Sequence, residues 1–312
     1  MYFKILLLIA FILYMPIAHS AAVTYTFSGG RFGDNLLAYC HAKWISYKYN
    51  IPLLYKPFDY SDHLMMHTLE QHYSQTVVEK FDAVLYLKNT AFIKAEKNIL
   101  YIVSYFPESA YELARPEFAH YFFVDWQDKI FKKELQKMIC PVDMLPTITL
   151  PANYISTAVH VRKGTGFDIA SLADFNTLCV GCPIKCPPDS YYLEQLEQLS
   201  CMFPDRLLYV YIFTDHTDPE EIVLQYKQAL DKPFMVFDYQ KQPIDYNTVI
   251  LADFFNMMHF DCLIRSDSNF SLVSSKLGNH QLVIYPSGYT ILENQVTIDQ
   301  VTLIRKTPSI HK

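Results

Sequence analysis

The chain has 312 residues and a formal charge of −6, with just over half of its residues hydrophobic and 19% charged. That balance excludes a disordered chain, and the length allows two domains of about 130 to 150 residues, each with its own core. The mild acidity and the lack of any Lys/Arg-rich run exclude the basic face that nucleic-acid binding requires.

The first segment, Met1 to Ala22, has Lys4, an apolar run from Ile5 to Ala18, and small residues around Ala18-His19-Ser20. This is the layout of a secretory signal peptide cleaved after Ser20, so residues 1–22 are read as a leader. Its apolar run is shorter than the ~20 residues that span a bilayer, with a short uncleaved anchor as the alternative. The expected location is therefore secreted, periplasmic or in the lumen of the secretory pathway, with membrane attachment only if the leader stays.

After the leader, Val23 to Phe27 is a β-rich run that stops at Ser28-Gly29-Gly30-Arg31-Phe32-Gly33-Asp34-Asn35. An amphipathic helix with Leu36, Leu37, Tyr39, Ala42 and Trp44 follows, then a short strand at Pro52 to Tyr55. Strand, glycine-rich turn, helix and strand make a βαβ opening. Apolar runs at Ala83 to Leu87 and Asn98 to Val103 continue the alternation, and Pro116 to Ile139 reads as helical.

Prolines at Pro141, Pro146 and Pro151 punctuate the chain, and the spacing predicts domains over 23–150 and 151–312. The second begins with a strand at Ile155 to Val161 and resumes with a helix from Ser190 to Cys201. The run Leu207 to Phe213 has the continuous apolar character of a buried parallel strand, and Pro219 opens a helix. Strands at Phe234 to Phe237, Cys262 to Ile264 and Leu282 to Tyr285 alternate with helices at Val249 to Met258 and Phe270 to Leu277. An α/β fold of two doubly wound halves, with ligands at the strand carboxyl ends, follows from this order.

Of the seven cysteines, Cys179, Cys182, Cys186 and Cys201 crowd into one proline-rich loop and the helix after it. In an oxidising compartment they read as a disulfide-stapled loop, with a zinc site as the sharper alternative. The odd total leaves at least one thiol outside any intramolecular bridge.

Four segments carry chemistry. Gly29 to Asn35 sits at a strand-to-helix turn, where glycines let backbone approach a ligand and helix-start amides attract anions; a plain tight turn is the alternative. Its spacing is not that of a dinucleotide fingerprint, which disfavours NAD. His160-Val161-Arg162-Lys163-Gly164-Thr165 ends a strand with two cations, which either simply reach solvent or suit the charge that develops on a leaving diphosphate. Asp215, after Phe213-Thr214, is either a ligand contact or a cap. Asp253 through Ser275 joins a helix, a short strand and a Ser/Asn-rich turn, placing hydroxyls and amides of Ser268, Asn269, Phe270 and Ser271 at a helix start.

In this order the motifs resemble the fucosyltransferase superfamily, closest to its bacterial α-1,2 branch. The Gly-rich turn, His160 to Thr165, the Tyr191-Tyr192 helix, Phe213 to His216 and Asp253 to Ser271 carry the resemblance, which spans about residues 20 to 290. The Arg31-Phe32-Gly33 flavour is also similar to protein O-fucosyltransferases. The resemblance implies a GT-B fold of two Rossmann-like domains facing across a cleft, with the acceptor side in the amino-terminal half at Gly30, Arg31, Gly33 and Asn35. It implies inverting, metal-independent transfer of L-fucose from GDP-fucose to a glycan hydroxyl. Arg162 would grip the β-phosphate, with Lys163 beside it, His160 would contact the nucleotide and Asp253 the guanine or ribose. Ser268, Asn269, Phe270 and Ser271 would line the diphosphate turn. Two positions depart from the family pattern: Lys163 replaces an arginine and Thr165 replaces an aspartate, which leaves Asp168 or Asp174 as the substitute carboxylate and Asp34 as a more distant one. A catalytically impaired nucleotide- or glycan-binding protein on the same scaffold is the rival expectation.

Overall fold

The computed structural model describes residues 21–87, 93–104, 124–163, 183–241, 246–293 and 295–305, without the side chains of 246–248. The leader through Ser20 thus lies outside the described residues, as do Gly164, Thr165, Asp168, Asp174, Cys179 and Cys182. The chain divides after Cys140 into two compact units, so the prolines at 141, 146 and 151 open the second unit. The hold on this segment is a side chain: buried Asn256 accepts from Ile148 N–H at 2.9 Å and donates to the Pro146 carbonyl at 2.8 Å.

The first unit is built on parallel strands. Strand β1 (Ala22–Tyr25) leads through the glycine turn into helix α1 (Phe32–Tyr49), and β2 (Leu54–Tyr55) returns beside β1 through a single bridge, Val23 to Leu53. Strand β3 (Gln71–His72) pairs with β2, while β4 (Ala83–Leu87) and β5 (Ile99–Val103) form a sheet of order β1-β5-β4. Helix α1 starts at Phe32, so Gly33 and Asn35 belong to its first turns rather than to the preceding loop. It ends at Asn50, whose left-handed φ of 50° lets its amide close the last turn. Helix α2 (Lys129–Met138) packs Phe131 against Trp44 of α1, ring centroids 4.9 Å apart.

The second unit holds a six-stranded sheet of order β11-β10-β9-β6-β7-β8. Its strands are β6 (Tyr154–Val161), β7 (Leu207–Thr214), β8 (Met235–Tyr239), β9 (Cys262–Arg265), β10 (Leu282–Leu292) and β11 (Gln295–Arg305). All pairings are parallel except that of β10 with β11. The connections are α3 (Asp189–Met202), α4 (Pro219–Leu230), α5 (Tyr246–Met257) and α6 (Asn269–Leu277). Alternate residues feed two cores: Val159, Val161, Val210 and Ile212 face α3 and α4, while Ala158, Tyr211 and Phe213 face Met257 and Phe260. Both sheet faces are therefore covered, the doubly wound arrangement expected for this half.

Asp261 fixes the register at the amino end of the sheet. It accepts from the Ser156 amide at 3.0 Å and the Ser156 hydroxyl at 2.8 Å, and from Gln281 Nε2 at 3.0 Å, tying the entries of β6, β9 and β10 together.

One feature departs from expectation. The sequence reading stops at Tyr285, whereas β10 runs on to Leu292 and turns into β11. The disulfide-stapled loop is seen only in part, since Cys179 and Cys182 lie outside the described residues; of the other two, Cys186 and Cys201 are not in a disulfide, and Cys201 is exposed near the end of α3. No group of three or more His, Cys, Asp or Glu among the described residues is placed to hold a metal ion. No described helix is long and apolar enough to cross a membrane.

Candidate active site at the strand switch point

In the second unit, chain order runs β6, β7, β8 to one side and then returns to place β9 and β10 on the other side of β6. The neighbours β6 and β9 therefore diverge into connections on opposite faces, which opens a crevice at their carboxyl ends. His160 and Arg265 are register partners there, and the residues that follow each strand meet at the crevice.

From β6, His160 packs its ring 5.7 Å from that of Phe270 and places Nδ1 3.3 Å from the Ser266 hydroxyl. Arg162 donates its amide to the Tyr192 hydroxyl at 3.4 Å and reaches with Nη1 to within 3.5 Å of Ser268 Oγ. From β7, Asp215 accepts the Lys163 amide at 2.7 Å and lies 4.0 Å from Arg162 Nε. Asp215 thus orients Arg162 and holds the chain leaving β6, a positioning role rather than a cap.

From β9, the turn Ser266-Asp267-Ser268 is buried and enters α6 without a side-chain cap at Ser268. The first turn of α6 thus offers backbone amides and the positive end of its dipole toward the crevice. The turn is stiffened from below by Arg265, 2% exposed, which donates to the Ser266 carbonyl at 3.0 Å, stacks 4.3 Å over Tyr285 and lies 3.7 Å from Asp267. Burial lowers the Arg265 guanidinium below its usual range and Asp267 opposes that fall. Ser271 turns its hydroxyl back to the Ser266 and Ser268 carbonyls, at 3.4 and 3.2 Å, so it braces the turn.

Lys163 departs from the picture of two cations facing one ligand. Its ammonium donates to both oxygens of Asp189 at 2.6 Å, and the Tyr226 hydroxyl donates to the same carboxylate at 2.6 Å. Its charge is matched at the start of α3, so of this adjacent pair it is Arg162 that reaches the α6 turn.

Burial, with the charge of Asp253 on α5 adding to it, pushes the Tyr211 phenol up. Burial also raises the Asp253 carboxyl to about 7.

The residues of the glycine turn belong to the first unit. Gly29 adopts φ +84°, open to glycine and strained for other residues. A side chain at Gly30 would collide with Asp34, which accepts the Arg31 amide at 3.3 Å as part of the α1 start. Asp34 is thereby engaged in its own helix. Asn35 is buried, and its Oδ1 has no hydrogen-bond partner among the described residues. A cavity of about 660 Å³ in this unit, lined by Tyr47, Lys133 and Lys137 among others, shares no residue with the glycine turn.

Sequence reasoning missed Asp189, Tyr226, Ser266 and Arg265. Only Asp189 carried a usable signal, as an acid at a helix start preceded by Pro188.

The sequence matches no protein-family model and no curated protein sequence. Among solved structures, the backbone overlaps that of POFUT1 in complex with GDP-fucose at 13% identity, covering 85% of this chain and 96% of that one with a TM-score of 0.44. It overlaps the NodZ α-1,6-fucosyltransferase soaked with GDP-fucose at 12% identity, covering 92% and 99% with a TM-score of 0.43. It also overlaps an Arabidopsis thaliana FUT1 mutant in complex with GDP at 12% identity, covering 85% and 70% with a TM-score of 0.49. At that degree of overlap the site's own residues remain the ground for function.

Proposed function

We propose that the chain is a GT-B glycosyltransferase that passes the sugar of a GDP-sugar donor, GDP-fucose, to a carbohydrate hydroxyl with inversion. The observation that carries this reading is the meeting of Arg162 with the uncapped start of α6 at the switch point, Nη1 to Ser268 Oγ 3.5 Å. A diphosphate there would receive the guanidinium fork and the helix-start amides together.

In the reaction the bond between the anomeric carbon and the β-phosphate oxygen breaks, while the acceptor oxygen bonds to that carbon from the opposite face and gives up its proton. Negative charge grows on the departing diphosphate. Donors already fixed in place stabilise that charge without reorganising, which is the largest electrostatic contribution available. Arg162, held by Asp215 and Tyr192, is such a donor. His160 and Phe270 would form one wall for the nucleotide, and Asp253 would accept from guanine. The guanidinium and amides supply the counter-charge here, so the proposal includes no divalent ion. Asp168 is assigned the proton, since Thr165 cannot act as a base. Gly30, Arg31, Gly33 and Asn35 are assigned to the acceptor side. Export by the leader places the enzyme outside the cytosol, which Ala21 as the first residue of the mature protein would establish.

Calorimetric titration with GDP tests the donor site. Arg162→Ala is expected to weaken GDP by about 100-fold, as loss of a charged hydrogen-bonding partner entails, and unchanged affinity would overturn the reading. The Thr165 departure favours a second reading, a GDP-sugar-binding protein without turnover. Tight GDP binding with no fucose released from GDP-fucose, across a panel of glycan acceptors, would establish it.

A further inference from the structure

Helices α1 and α2 flank the cavity of about 660 Å³ in the first unit, a volume inside the range of roughly 300 to 1,000 Å³ of small-molecule sites. Its walls are already fixed. At the end of α1 the Ser46 hydroxyl donates to the Ile51 carbonyl at 2.7 Å, while the Ile51 amide donates to the Ser46 carbonyl at 3.1 Å, so the chain into Pro52 is locked to the helix. Across from it α2 is seated by Phe131, whose ring lies 4.9 Å from that of Trp44 and 5.3 Å from that of Tyr47. Little has to be ordered when a ligand enters such a site.

The lining carries three lysines and one acid. Lys43 is buried and already matched, 2.8 Å from Glu70 and 3.5 Å from Glu134. Lys133 and Lys137 are exposed and have no ion-pair or hydrogen-bond partner among the described residues. Glu134, three residues before Lys137 and so able to pair with it along the helix, turns to Lys43 instead. Lys137 offsets the carbonyl end of α2, whereas Lys133 lies mid-helix with Lys129 and Lys137 four residues to either side. Like charges at that spacing destabilise a helix, so α2 gains nothing locally from this row. Beside the two ammoniums the lining is apolar, with Ile130, 71% exposed, Pro52 and the Tyr47 ring.

We propose that this cavity binds a phosphate monoester, with the dianion between Lys133 and Lys137 and its organic body on Tyr47, Pro52 and Ile130. Two uncompensated cations one turn apart favour an anion of two charges over a carboxylate or a sulfate ester of one, and a phosphate monoester carries about −1.5 to −2 at neutral pH. Lysine holds such a group as a point charge, without the fork geometry that arginine supplies. The volume and the apolar wall leave room for the rest of an ester, either a soluble molecule or the headgroup of a phosphomonoester lipid. Every lining residue belongs to the first unit, so the proposal stands or falls independently of the donor site at Arg162.

Calorimetric titration of the mature chain with phenyl phosphate, which joins the dianion to a flat apolar ring, tests this at pH 7.5 and low salt. Binding is expected, weakened about tenfold by Lys133→Ala or Lys137→Ala and about 100-fold by both together, with GDP affinity unchanged. Lys129→Ala, on the same helix but outside the lining, should leave it as it is, and so should Arg162→Ala. Phenyl sulfate, similar in shape with a single charge, should bind at least tenfold more weakly. Phosphatidylcholine vesicles carrying phosphatidic acid separate the two sources: co-sedimentation that the double lysine variant loses assigns the site to a lipid headgroup, and no co-sedimentation assigns it to a soluble ester. Absence of phenyl phosphate binding would overturn the proposal, as would binding that survives loss of both lysines, disappears in Arg162→Ala, or is matched by phenyl sulfate.

Discussion

Arg162 and Lys163 are adjacent cations with different tasks, and the difference lies in their partners. Lys163 and Tyr226 converge on Asp189, so this cluster ties the end of β6 to α3 and α4. Asp189→Ala should lower stability by ~1 to 3 kcal/mol, the cost of leaving partly buried donors without their acceptor, seen as a lower urea midpoint. Lys163→Ala should likewise reduce stability, with GDP affinity changing far less than for Arg162→Ala. Asp253 gives a pH signature. Burial holds its carboxyl at about 7, and only the carboxylate form accepts hydrogen bonds from guanine with both oxygens. GDP affinity should therefore be level above pH 7 and fall by up to tenfold per unit below it. Asp253→Asn should remove that slope, a result calorimetry at pH 5.5 and 8 would check. The same raised carboxyl sets a stability trend: it favours folding below about pH 4 and that contribution is lost as pH rises through 7, so Asp253→Asn should stabilise the protein at pH 8. Arg162 was legible in the sequence because it ends an apolar strand beside a glycine. Ser266 was not, since its meaning comes from His160, 106 positions away.

At the scale of elements, the strands and helices of the second unit were legible because apolar runs and proline or glycine stops coincide. There Leu207–Thr214 and Pro219–Leu230 begin where the sequence places them, and in the first unit Ala83–Leu87 matches its expected bounds. The start of α1 was misplaced: glycine argued for a loop through Asn35, whereas Asp34 accepting the Arg31 amide starts the helix at Phe32. Strand β11 went unread because half of its residues are polar and its apolar half is interrupted by Asp299 and Gln300. Caps are where single changes act on elements. Asp128 accepts from the Ile130 and Phe131 amides at 2.9 Å and opens α2. Asp128→Ala should cost about 1 kcal/mol, measured as a reduced thermal midpoint, with GDP binding by the second unit unchanged.

For the whole molecule, the two-unit organisation was legible in the alternation of strand and helix. The division after Cys140 was less so, because prolines mark a stretch without saying which side it joins. Asn256 decides that by fastening Pro146 and Ile148 to α5. Ligand binding should register on overall stability: GDP at 100 times its dissociation constant adds about 2.7 kcal/mol by mass action. Arg162→Ala, with affinity about 100-fold weaker, should cut that to about 0.4 kcal/mol at the same GDP concentration. Asp261 carries a consequence of another kind. By locking β6, β9 and β10 at their entry, it confines sequence change at the opposite end of the sheet to side chains and connecting loops. Evolution or engineering can then alter which donor fits above His160 and Arg162 one residue at a time, while the frame that presents them stays in register.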